Sequence, residues 1–198
     1  MRPVAVGLAV VLGVAGCAGL QPRDVISSWG NVEDIRGRAE QGSAEDQFKL
    51  GQIYEHGRGA QQSFDEALKW YEASAKQGFP LAESTLGYFY MYGEGVERNL
   101  EVALEWNRKA ADQGDAYGQQ NLAVMYDEGM GIEQNKGEAV SWYRKAAMQG
   151  YLPAMVNLGV SYWKGEGVAQ DNIQAYAWLE LVRYATGTSK GAIVKCCG

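Results

Sequence analysis

The 198-residue chain is 46% hydrophobic and 21% charged, the balance of a soluble globular protein with one sizeable core, which excludes an intrinsically disordered chain. Its 24 acidic and 18 basic residues leave a formal net charge of −6, which argues against nucleic acid as a partner, because phosphate contacts need clustered Lys and Arg. The 26 glycines stand beside only four prolines, so they signal neither collagen nor a low-complexity linker and acquire meaning by position.

The N-terminus differs from the rest. Arg2 gives a minimal positive start, Val4 to Val14 is an apolar run of 11, and the small residues Ala15 and Gly16 precede Cys17. A run this short does not span a bilayer as a stable helix and reads as a secretory signal. Val14-Ala15-Gly16-Cys17 resembles the lipobox of bacterial lipoproteins. The resemblance implies a signal peptide over 1–16 and lipid attachment at Cys17. Acyl chains, at about 0.8 kcal/mol per buried CH2, would hold the chain on a membrane without a transmembrane helix. Ala18, rather than Asp, after the cysteine is similar to the sorting signal for the outer membrane. The expected location is therefore the bacterial cell envelope, lipid-anchored at the outer membrane and facing the periplasm. An ordinary signal peptide or a buried apolar strand, with an incidental cysteine, is the alternative.

Val25, Trp29, Val32, Ile35 and Ala39 then fall at helical spacing, so 17–41 is expected to hold the lipidated N-terminus and a capping helix. From residue 42 a period of 36 is plain. Gly42, Gly78, Gly114 and Gly150 share it, as do Leu50, Leu86, Leu122 and Leu158, and Tyr54, Tyr90, Tyr126 and Tyr162. The glycine pairs beginning at Gly57, Gly93, Gly129 and Gly165 keep the same step, as do Ala67, Ala103, Ala139 and Ala175 and the tryptophans Trp70, Trp106, Trp142 and Trp178. Such self-similarity marks a repeat architecture.

Within a unit the pattern predicts helix, turn, helix. In the second unit the helices run over about 81–91 and 100–112. Both are too short to be stable alone and must gain stability from neighbours. Ser63, Asn99, Asn135 and Asp171 supply an N-cap oxygen before each second helix. Glu66, Glu138 and Gln174 stand three residues on and predict a reciprocal capping box, which Val102 interrupts in the second unit. Gly51, Gly87, Ala123 and Gly159 lie mid-helix, where a missing side chain is expected to admit the large Trp and Tyr of adjacent helices.

The segments Leu86-Gly87-x-x-Tyr90-x-x-Gly93-x-Gly95-Val96 and Ala103-x-x-Trp106-x-x-x-Ala110-Ala111-x-x-Gly114 resemble the signature of the Sel1-like repeat, a relative of the tetratricopeptide repeat. The resemblance covers about 42–184 and implies an all-α, right-handed solenoid of four helix-turn-helix units that acts as an adaptor or scaffold. Residues 185–198 form a short Gly/Ser/Thr-rich tail without a covering amphipathic helix.

Chemistry-bearing constellations are sparse. The Gly-x-Gly turns follow helices rather than strands and recur in every unit, so they are structural, not nucleotide-binding. His56 is the one histidine and has no companions for a zinc site. Cys196 and Cys197 are adjacent in the tail. Cysteine-rich Sel1 proteins staple their helix pairs with disulfides and have been associated with β-lactams, but this sequence lacks those cysteines. The expectations are no catalytic residues, no metal and no small-molecule cofactor. An enzyme or enzyme regulator acting on cell-wall material or β-lactams is the alternative reading.

In helical-pair solenoids the first helices line the concave face. Aligned in register, one stripe holds Glu45, Leu81, Tyr117 and Pro153, a second Lys49, Thr85, Asn121 and Asn157, and a third Gln52, Tyr88, Val124 and Val160. Exposed aromatics beside amides suit a peptide groove. Tyr88, Tyr92, Tyr117, Asn121, Val124, Asn157 and Val160 are thus the candidate contacts for an envelope protein or peptide, with the membrane reached through the lipid anchor.

Overall fold

The computed structural model describes residues 31–187, which form nine α-helices and, among the described residues, no strand. A lone helix α1 (Val32–Glu40) precedes four pairs: α2 (Ala44–His56) with α3 (Phe64–Ala75), α4 (Pro80–Tyr92) with α5 (Leu100–Asp112), α6 (Ala116–Glu128) with α7 (Lys136–Met148), and α8 (Leu152–Lys164) with α9 (Asn172–Thr186). Each helix packs on its sequence neighbours, and α4 also packs directly on α6. The signal segment, Cys17, Val25, Trp29, Cys196 and Cys197 lie outside the described residues.

The repeated apolar positions form the core. Leu50, Leu86, Leu122 and Leu158 are buried, as are Ala67, Ala103, Ala139 and Ala175. The repeated tryptophans are only partly buried, at the margins of these clusters. They do not fill the mid-helix gaps. A Cβ on Gly51 would fall 2.6 Å from Tyr71 Cε1, on Gly87 2.3 Å from Asn107 Oδ1, and on Gly159 3.0 Å from Leu179 Cγ. The expected aromatic filler thus occurs at Gly51, whereas Asn107 and Leu179 take its place opposite Gly87 and Gly159.

Each second helix has its N-cap. Ser63, Asn99, Asn135 and Asp171 accept from backbone N–H groups of the first turn. The reciprocal arm of the capping box is absent, for a physical reason. The N-cap N–H of Ser63, Asn99, Asn135 and Asp171 already donates to the carbonyl of Tyr54, Tyr90, Tyr126 and Tyr162, at 2.9 Å in every unit. Glu66 is thereby left to pair with Lys69 at 2.6 Å. The same bond explains why Val102 is tolerated in the second unit.

Successive units interlock at the second glycine of each turn. A Cβ on Gly131 would fall 2.8 Å from Leu100 Cβ, and one on Gly167 would fall 2.1 Å from the Lys136 carbonyl oxygen. Leu100 and Lys136 each begin the second helix of the preceding unit.

The two ends differ. At the N-terminal end α1 buries Ile35 and Ala39, and Arg38 reaches Asp46 of α2 at 2.8 Å. At the other end α9 continues to Thr186, past the expected limit at 184, and closes on Gly187 in the left-handed region.

Candidate partner-binding face

The first helices form the inner side of the solenoid. α4 and α6 touch without an intervening helix, and the Asn121 amide donates to the Ser84 carbonyl at 3.4 Å. On this side four tyrosines make a continuous ladder. Tyr92 and Tyr88, one helical turn apart on α4, have ring centroids 4.8 Å apart. Tyr88 lies 5.9 Å from Tyr117 of α6, and Tyr117 lies 6.2 Å from Tyr151 at the start of α8. The tilted rings suit mutual aromatic packing. Tyr92 is exposed and the other three are half-buried.

The phenols are held neutral. Burial, and then Glu94, push Tyr88 up to about 12; the Tyr88 hydroxyl donates to Glu94 Oε1 at 3.1 Å. Burial is also the largest cause raising Tyr92, Tyr117 and Tyr151. Glu94 and Glu128 stand close enough to Tyr92 to raise it further. The ladder is therefore an amphipathic surface of rings and hydroxyls with a negative rim.

The structure brings together three of the candidate contacts, Tyr88, Tyr92 and Tyr117. Asn121 requires correction. It is buried rather than outward-facing, and its amide is engaged by Asn107 Oδ1 at 3.1 Å and Ser84 O. It is a packing residue, holding α6 to α4 and α5 through these two bonds. Val124 is half-buried against the apolar interior. Asn157 and Val160 are half-buried on α8. Tyr151 escapes the register of outward stripes because it occupies the N-cap position. Its register mates are Ser43, Phe79 and Asp115. Ser43 and Asp115 cap their helices with a side-chain oxygen, whereas α4 and α8 have no side-chain cap and open with proline in the first two positions. A large aromatic at a position that usually caps was the available signal.

His56 is exposed, with Nδ1 4.0 Å from Glu55. Among the described residues no group of three or more His, Cys, Asp or Glu side chains is gathered as for a metal ion, and no helix is long and apolar enough to cross a membrane.

Tandem helix pairs, a shared core and a side-chain ladder on the inner face define an all-α helical-repeat protein. The chain belongs to the Sel1 repeat family, whose model matches residues 44–79, 80–115, 116–151 and 152–181. Two solved structures are similar to it at a TM-score of 0.74. One is a protective antigen of uropathogenic Escherichia coli strains displaying an SLR fold, 38% identical over 78% of this chain and 33% of its own. The other is a Sel1 repeat protein from Oxalobacter formigenes, 34% identical over 78% of this chain and 61% of its own. The chain thus spans about a third and about three-fifths of these relatives. Helicobacter pylori cysteine rich protein B shares the fold at 19% identity and a TM-score of 0.51, over 67% of this chain and 97% of its own. Among curated proteins no relative matches.

Proposed function

We propose that this protein is a lipid-anchored scaffold of the bacterial cell envelope that captures a protein partner on the tyrosine ladder of its inner face. Sel1 repeat proteins generally mediate protein–protein interaction and are typically scaffolds rather than enzymes. The observation that carries the reading is the ladder Tyr92–Tyr88–Tyr117–Tyr151, because ring surface with hydroxyl handles is what interface anchors provide. Its rim of Glu94 and Glu128 favours an envelope protein or peptide that offers apolar and basic side chains together. The anchor rests on the Val14–Cys17 motif and Ala18, which also support an outer-membrane, periplasm-facing location. The alternative, an enzyme or regulator acting on cell-wall material or β-lactams, has no observation in its favour.

The test is affinity capture from detergent-solubilised envelope with the intact protein and a Tyr88→Ala, Tyr92→Ala variant side by side. Thermal midpoints of both establish that each is folded. A protein retained by the first and lost by the second is the expected result. Equal recovery with both would move the contact away from the ladder. Intact-mass measurement of the chain and of a Cys17→Ser variant tests the anchor, and an unmodified Cys17 would overturn it.

A further inference from the structure

Exposed apolar side chains gather on the last two described helices. Val156 and Trp163 of α8 are exposed, whereas at the same registers Ser84, Gln120 and Met91 are buried and Phe48, Glu55 and Asp127 half-buried. On α9, Ile173 is 81% exposed, Tyr176 67%, Leu181 51% and Tyr184 85%. Tyr176 matches Leu68, Leu104 and Val140, which the succeeding units cover in whole or in part. Ile173 and Leu181 are more telling. Ile173 stands where α3 and α5 carry exposed Asp65 and Glu101, and Leu181 where α5 and α7 carry exposed Lys109 and Lys145; Tyr184 shares its register with the exposed Lys76 that follows α3, with Asp112 and with the exposed Met148 of α7. A following unit would not cover these positions, because they face solvent in the inner repeats. The last helix has been made apolar on its outer side as well as its end.

From this we infer that two copies of the chain pair through α9 and the adjoining end of α8, forming a closed two-fold dimer. Three observations select a second copy as the occupant. At Tyr176 the face continues the interior interface in which each second helix is covered by another amphipathic helix, Ile173 and Leu181 extend it outward, and α9 of a second copy is such a helix. The stripe is also electrically neutral. Glu180 and Arg183 are paired at 2.7 Å, so two copies meet there without the repulsion expected elsewhere on a chain of net charge −6. Finally, among the described residues α1 presents exposed Glu33, Asp34, Arg38 and Glu40 at the opposite end, a charged surface that does not match this apolar one for head-to-tail stacking. A patch that complements only itself gives an isologous pair, not a filament.

Sedimentation equilibrium of the full chain in mild detergent, under reducing conditions so that Cys196 and Cys197 form no covalent link, tests this. The expected result is twice the chain mass, falling to the single mass at least tenfold more readily on dilution for an Ile173→Lys, Tyr184→Lys variant with an unchanged thermal midpoint. A single mass at all concentrations for the wild-type chain overturns the inference. So does a dimer that the variant does not weaken. A wild-type monomer that dimerises only after removal of residues 188–198 also overturns it, by showing that the tail covers the face.

Discussion

The side-chain amide of Asn121 donates to Asn107 Oδ1 at 3.1 Å, and Asn107 is fully buried opposite Gly87. The pair spans two units, since Asn107 lies on α5 and Asn121 on α6. Truncating Asn121 leaves a buried acceptor without its donor, which costs about 1–3 kcal/mol. For a chain of this size each kcal/mol lowers the melting temperature by about 2–4 °C. Asn121→Leu is therefore expected to reduce Tm in calorimetry, in contrast to Tyr92→Ala. An unchanged Tm would show that the Asn pair contributes nothing net.

Glu83 is the odd member of a repeated contact. Gln47 and Gln119, its register mates, donate to the carbonyls of Ala39 and Ala111 at 3.1 and 3.3 Å. Each also accepts from a glutamine 30 residues further along the chain, as Glu83 does from Gln113 at 2.6 Å. An ionised Glu83 cannot donate, and burial raises its pKa above 4.5. Because the folded value is the higher one, the folded state holds the proton longer. Stability is then full below the unfolded value and falls as pH rises through the folded one. Glu83→Gln restores a donor and should stabilise the protein by about 1 kcal/mol at neutral pH. In urea titrations the gain should shrink as pH falls into the acid range where Glu83 itself takes up its proton. A gain independent of pH would refute the charge argument.

Asp46 behaves in the opposite sense. The Arg38 guanidinium, aided by the Ser43 hydroxyl, holds its carboxyl at about 2 against an ordinary value of 3.8. A depressed folded pKa contributes stability that is present above 3.8 and lost as pH falls from there toward 2. Hydrogen exchange in α1 should accelerate over that window ahead of exchange in α4 to α7. Asp46→Asn should produce the same local release at neutral pH. Uniform acceleration along the chain would contradict it.

Two glycines separate backbone strain from crowding. Gly150 has φ 84° with nothing within 4 Å of where an alanine methyl would stand, whereas Gly167 has φ 71° and the Lys136 carbonyl in the way. Gly150→Ala should cost about 1–2 kcal/mol for the left-handed conformation alone. Gly167→Ala adds overpacking of about 1–3 kcal/mol. Equal denaturation midpoints for the two variants would show that the turn yields without resistance.

The repeat step, the helix pairs and the N-cap oxygens were legible in the sequence because each recurs at one register and acts locally. The ladder was legible only in part. Tyr88, Tyr92 and Tyr117 stood out as aromatics at outward positions, but Tyr151 hid at a capping site. Asn121 was misplaced because its mates Lys49, Thr85 and Asn157 are all partly exposed. Its burial depends on Asn107 replacing the Tyr71 and Tyr143 of other units, a pairing across units that periodicity cannot reveal. The capping box failed similarly: a nonlocal backbone carbonyl won the N–H that local reasoning assigned to Glu66.

That carbonyl has a wider meaning for how such an array changes over generations. Because the bond from each N-cap N–H to the tyrosine carbonyl is made entirely of main chain, it survives almost any replacement of the side chains around it, proline at the N-cap excepted. A duplicated unit therefore inherits its hinge angle intact, and its inner-face residues are free to drift toward a new partner without first renegotiating the joint.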